Sequence, residues 1–240
     1  MKKIILTTIA VTALATSAFS QGLINFATSS VAANRISTNS VPGGALTGAT
    51  TAVANSYYFA LFASSTLTSV GGVTTAQSGA TGTYVFNNLG TGVPSGGWEL
   101  VGIGGSLATL GRMGPLSQGT SSASQGALNT DGSMTVQGIA AGGSANLVAI
   151  GWSANIGSTL QSVIGWFNGG YATQGWIGQS AVAVGAVLGD GGGIPTPLAM
   201  GTGTGQFSGY GLGVTPVPEP STMALAALGG ASLLLFRRRK

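Results

Sequence analysis

The stretch Tyr57-Tyr58-Phe59-Ala60-Leu61-Phe62 decides the fold class of this chain. Six apolar or aromatic residues in succession leave no polar face for solvent, and most of them favour extended backbone. A strand of this kind is buried on both sides, which places it inside a sheet rather than at its edge. Asn146-Leu147-Val148-Ala149-Ile150-Gly151-Trp152 is a second such run. Further strands are expected at Gly22-Leu23-Ile24-Asn25-Phe26-Ala27, Thr83-Tyr84-Val85-Phe86, Trp98-Glu99-Leu100-Val101-Gly102-Ile103 and residues 181–188. Gly132-Ser133-Met134-Thr135-Val136-Gln137 alternates apolar and polar after an Asp131-Gly132 turn, as a half-exposed strand does. Residues 35–54 read as loop, with a turn at Pro42-Gly43-Gly44.

The period changes once. Leu160, Val163, Ile164 and Phe167 recur at helical spacing, while Gly157 and the Gly169-Gly170 pair confine that helix to a few turns. Short strands joined by turn-rich segments, in a chain with 43 glycines, predict an all-β fold. The expectation is an antiparallel β-sandwich, jelly-roll-like, with one short helix, over residues 21–188. Residues 189–216, rich in Gly, Pro and Thr, read as a linker.

Both ends carry targeting signals. Met1-Lys2-Lys3 precedes an apolar run to Ala15, and Ala18 and Ser20 supply the small residues that signal peptidase reads. Residues 1–20 are therefore an expected signal peptide, helical in its apolar part and cleaved before Gln21. At the other end no charge falls between Ser221 and Phe236, about 16 residues or roughly 24 Å of helix. That is slightly short of a hydrocarbon core of about 30 Å, and beginning at Pro220 and letting the basic side chains snorkel makes up most of the deficit. Arg237, Arg238, Arg239 and Lys240 form a membrane stop that stays cytoplasmic, leaving residues before Pro218 outside.

Val217-Pro218-Glu219-Pro220-Ser221-Thr222, the apolar helix and the terminal cationic cluster together resemble the PEP-CTERM sorting signal of exported proteins of Gram-negative, often biofilm-forming bacteria. The resemblance covers residues 217–240 and assigns the motif to Val217, Pro218, Glu219, Pro220 and Ser221. It implies recognition by an exosortase-like membrane protease, with processing near Pro218-Glu219-Pro220. It also implies transient residence in the bacterial inner membrane, then transfer to the cell surface or extracellular matrix, commonly beside exopolysaccharide. Residues 146–188 further resemble the C-terminal part of β-sandwich domains on other proteins sorted this way.

The net charge of +4 belongs to the targeting ends. Between Gln21 and Val217 the charges are Arg35 and Arg112 against Glu99, Asp131 and Asp190. A passenger so nearly neutral has no electrostatic footing on phosphate, so nucleic acid is not an expected partner. The chain contains no histidine and no cysteine, which excludes Ser-His-Asp and Cys-His arrangements and the usual zinc, copper and haem ligand sets. No lysine lies between the targeting segments, so Schiff-base chemistry and a P-loop are excluded as well. A carboxylate pair drawn from Glu99, Asp131 and Asp190 is the one catalytic arrangement left, yet Asp131 and Asp190 both precede Gly, where Asp makes turns. Neither cofactor nor metal nor catalysis is expected.

The tryptophans are the candidate binding residues, because indole faces stack on sugar rings. Trp152 and Trp166 lie within apolar elements and are expected in the core, whereas Trp98 and Trp176 follow glycines and are the candidate glycan contacts. Two functions of different class result: a non-enzymatic surface or matrix protein, and a carbohydrate-binding module.

Overall fold

The computed structural model describes residues 21–28, 34–89, 96–115 and 133–216. The expected signal peptide with Ala18 and Ser20, Asp131, and residues 217–240 lie outside the described residues.

The strands are β1 (Gln21–Thr28), β2 (Ser37–Asn39), β3 (Leu46–Ala49), β4 (Tyr57–Ser64), β5 (Gln77–Ser78), β6 (Glu99–Ser106), β7 (Met113–Pro115), β8 (Ser133–Ala140) and β9 (Ser144–Ser153), followed after helix α1 (Leu160–Asn168) by β10 (Trp176–Gln179), β11 (Ala183–Val187), β12 (Leu198–Met200) and β13 (Gly211–Val214). The large sheet has ten strands in the order β3-β2-β13-β10-β9-β4-β6-β7, with β11 also paired to β9 and β5 to β10. A second sheet has three, in the order β12-β1-β8.

The two long apolar runs are the centre of the large sheet. β4 and β9 pair antiparallel from Tyr57 opposite Ser153 to Ser64 opposite Asn146. Their side chains alternate between two cores, as a strand's period of two requires. Phe59, Leu61 and Ala63, with Leu147 and Ala149, enter one core; Ala60 and Phe62, with Val148, Ile150 and Trp152, enter the other.

Each core has its own cover. The three-stranded sheet lies over the first, contributing Ile24 and Phe26 from β1, Met134 and Val136 from β8, and Ala199 and Met200 from β12. Helix α1 lies over the second through Val163, with Leu160, Ile164 and Phe167 packed against it, beside Tyr84, Phe86 and Trp98. α1 is the helix that the Leu160–Phe167 spacing predicts. Thr159 caps it, its Oγ1 accepting from Ser162 N at 3.1 Å.

Several expectations are corrected. Pairing is not antiparallel throughout: β1 runs parallel to β12 and β13 parallel to β2. The strands divide three to ten rather than evenly between two sheets. Residues 35–54 carry β2 and β3 around the expected turn, where Gly44 N donates to Val41 O at 3.0 Å. Thr83–Phe86 is not a strand; a 3-10 turn spans Val85–Asn88 because Gln179 captures the backbone there, as described below. Most consequential, residues 189–216 are not a spacer. They supply β12 and β13, and Ala199, Met200, Phe207, Tyr210, Leu212 and Val214 are all buried.

β13 enters the sheet between β2 and β10 through a close backbone approach. A Cβ at Gly178 of β10 would collide with the carbonyl of Gly211, so only glycine fits there. Across the strand ends, Asn39 sits opposite Leu46, Val214 opposite Trp176, Tyr57 opposite Ser153, and Ser106 opposite Met113. This line of strand ends defines one end of the large sheet, and the chain leaves it after β13. Among the described residues no helix is long and apolar enough to cross a membrane.

Candidate functional site

The exit from β13 is a riveted point. Thr215, fully buried, donates its N–H to Gly175 O at 2.8 Å, and its Oγ1 sits 3.1 Å from the same carbonyl. Gly175 N donates back to Thr215 Oγ1 at 3.3 Å. One residue earlier, Val214 N donates to Asn39 Oδ1 at 2.6 Å, while Asn39 Nδ2 donates to Gly44 O at 3.2 Å. The buried amide of Asn39 therefore ties the exit strand to the β2–β3 turn. Polar anchors of this sort hold the backbone as far as Thr215.

The candidate glycan residues part company. Trp98 is fully buried, with Nε1 donating to Ser69 O at 3.2 Å. It offers no face to a sugar, and its expected role is corrected: the glycines before it form the rim of a core position. Trp176 is half-buried against the first core, with Nε1 donating to Asn39 O at 2.8 Å and its backbone N to Ser153 Oγ at 3.0 Å. Trp152 is fully buried as expected, with Nε1 donating to Gly157 O at 2.7 Å. Trp166 is half-buried over the second core, giving its N–H to Thr173 O at 2.9 Å. All four indole N–H groups are thus spent on backbone carbonyls, and the structure does not bring Trp98 and Trp176 to one surface.

The carboxylates are equally separated in role. Asp190 is exposed and closes its own turn: Oδ1 accepts from Gly192 N at 2.7 Å and from Ile194 N at 2.8 Å. The Ile194 bond and then the Gly192 bond hold its carboxyl below the ordinary carboxylate value. This is the turn role read from Asp190-Gly191. Glu99, half-buried, lines a pocket with Ser64, Gly97, Val136 and Ile139. Its volume of about 20 Å³ holds roughly one water. Among the described residues no group of three or more His, Cys, Asp or Glu side chains gathers to hold a metal.

An aromatic cluster backs α1. Phe167 meets Tyr84, Phe86 and Tyr171 edge-on at 5.4, 5.1 and 5.3 Å between centroids. Tyr84 OH donates to Gly79 O at 2.6 Å and Tyr171 OH to Ala80 O at 2.8 Å. Burial, followed by the neighbouring Tyr171, raises the Tyr84 phenol, and burial raises that of Tyr171. The cluster is packing for the helix layer.

Reasoning from residues missed Thr215 and Asn39. Their signal is faint: a polar residue at a strand end is ordinary until its partner is known.

Residues 216–240 match the PEP-CTERM protein-sorting motif. The matched segment contains Val217, Pro218, Glu219, Pro220, Ser221 and the cluster Arg237 to Lys240, and it begins directly after the riveted Thr215. No curated protein and no solved structure matches the chain.

Proposed function

We propose, from a chain whose last 25 residues are a PEP-CTERM sorting motif, that this is a non-catalytic surface or matrix protein acting by assembly beside exopolysaccharide. The motif itself implies export, transient anchoring by the C-terminal tail and processing by exosortase. The observation that carries the reading is that match, placed directly after a buried, hydrogen-bonded strand end. Support for a non-catalytic role comes from composition: a passenger without histidine, cysteine or lysine, and almost without charge. A body of two sheets packed over a common core, sandwich-like in its layering, suits a protein whose task is to persist.

The sorting part is tested in the producing cell by replacing Glu219 with Gln and the Arg237–Arg239 cluster with Gln. The expected result is protein held in the inner membrane or misrouted; unchanged surface delivery overturns the reading. The glycan reading keeps Trp176 alone. Titrating the protein with the host exopolysaccharide while following tryptophan emission decides it: a flat response supports assembly, and a saturable shift lost in Trp176→Ala supports specific binding.

A further inference from the structure

The end of the large sheet from which the tail leaves carries most of the exposed large apolar side chains among the described residues. Among the described residues eight large apolar side chains are exposed: Val41, Leu46, Val53, Leu89, Leu107, Leu110, Val184 and Val187. Five of them lie at the tail's end. Val41 and Leu46 flank the β2–β3 turn, Val53 precedes β4, and Leu107 and Leu110 sit in the β6–β7 turn. Leu89, Val184 and Val187 lie toward the other end, where Val187 faces Ser144 at the start of β9 and Leu89 bridges to Trp98 just before β6.

The segments before β4, after β6 and after β9 are tied to one another, and the β6–β7 turn also reaches the start of β2, where Ile36 N donates to Gly111 O at 3.0 Å. Ser106 Oγ accepts from Ser56 N at 2.9 Å and donates to Val53 O at 2.9 Å, and Ala154 N donates to Ser56 O at 2.9 Å. Residues 40–45, 53–56, 107–112, 154–159 and 169–175 at this end contain a single charge, Arg112. The tether is short. Residues 216–220 separate the riveted Thr215 from the uncharged run beginning at Ser221, a reach of about 17 Å at full extension. A body of this size is roughly 40 Å across, so it cannot stand off from whatever holds the tail.

We propose that this end is a membrane-contact surface: while the tail is in place, the turns carrying Val41, Val53, Leu107 and Leu110 rest in the headgroup layer of the same bilayer. The inference rests on the reading that the tail inserts in the membrane. Apolar side chains beside a membrane boundary, accompanied here by few charges, partition into the interface, and the tether supplies the high local concentration. The folded body is then oriented as well as anchored, with the processing motif held at the lipid boundary.

The chain has no cysteine, so single reporters are simple to place. The full chain is reconstituted in phosphatidylethanolamine–phosphatidylglycerol vesicles carrying a spin-labelled lipid. An environment-sensitive dye is attached to Val53→Cys, Leu110→Cys, Val184→Cys, Val187→Cys or, in the tail, Leu234→Cys. The expected result is quenching of the dyes at 53 and 110 several-fold above that at 184 and 187. Equal quenching at the two ends, with the dye at 234 strongly quenched, overturns the contact surface alone. An unquenched dye at 234 overturns the anchoring reading, and the contact surface falls with it. A shift at 53 and 110 that grows with protein concentration in the absence of lipid overturns the proposal in favour of a second copy of the chain.

Discussion

Gln179 shows how single polar side chains decide this structure. It is buried on β10, where its Oε1 accepts from Val85 N at 2.7 Å and its Nε2 donates to Thr83 O at 3.1 Å. One amide thereby fixes a turn almost a hundred residues away and keeps Thr83–Phe86 from pairing as a strand. Gln179→Ala strands a buried donor and acceptor, and we expect a loss of about 2–3 kcal/mol, read as a lower urea midpoint at unchanged slope. Asn146 works alike, donating to Leu67 O at 3.0 Å and accepting from Gly185 N at 3.0 Å. Asp190 gives a pH signature. Its carboxyl lies below the ordinary value in the folded protein because Ile194 N and Gly192 N bond the charged form. A depressed folded value favours folding above the unfolded value, and the contribution fades as pH falls through the folded one. Wild type and Asp190→Asn should therefore differ near neutrality and converge in acid, as measured by urea midpoints across pH.

At the scale of elements, β4, β9 and α1 were legible because their side-chain patterns are local and strong. Tyr57–Phe62 is apolar on both faces, and Leu160–Phe167 repeats at helical spacing. β2, β3, β12 and β13 were not legible: each has three or four residues, too few to display a period, and each lies among Gly, Pro, Ser and Thr. What makes them strands is the neighbouring backbone. β13 is the clearest instance, since Gly211-Leu212-Gly213-Val214 looks like spacer yet fills the gap between β2 and β10. Leu212 is fully buried there. Leu212→Ala should cost about 2–5 kcal/mol in thermal or urea unfolding, where a solvated linker would register nothing.

For the whole molecule, the absence of a spacer is the main consequence. β13 is interior to the large sheet and Thr215 is buried, so cleavage upstream of Thr215 would withdraw a strand from between two others. The processed protein should end at residue 216 or later, which the intact mass of the surface form will report; a terminus before 215 on a still-folded protein contradicts this. Two cores on either side of one sheet also explain why Trp98 vanishes from the surface. The face of β4 and β9 opposite the small sheet must be covered, and large aromatic side chains such as Trp98 and Trp152 fill that layer.

The sorting motif, the apolar central strands, the helix and the near-neutral passenger were determined by the sequence alone, because each is written in contiguous residues or in bulk composition. The extent of the folded body, the parallel pairings, the burial of Trp98 and the rivet at Thr215 were decided only by tertiary structure. Those features depend on which distant backbone lies alongside a short segment, and a glycine-rich strand of four residues carries no mark of its partners.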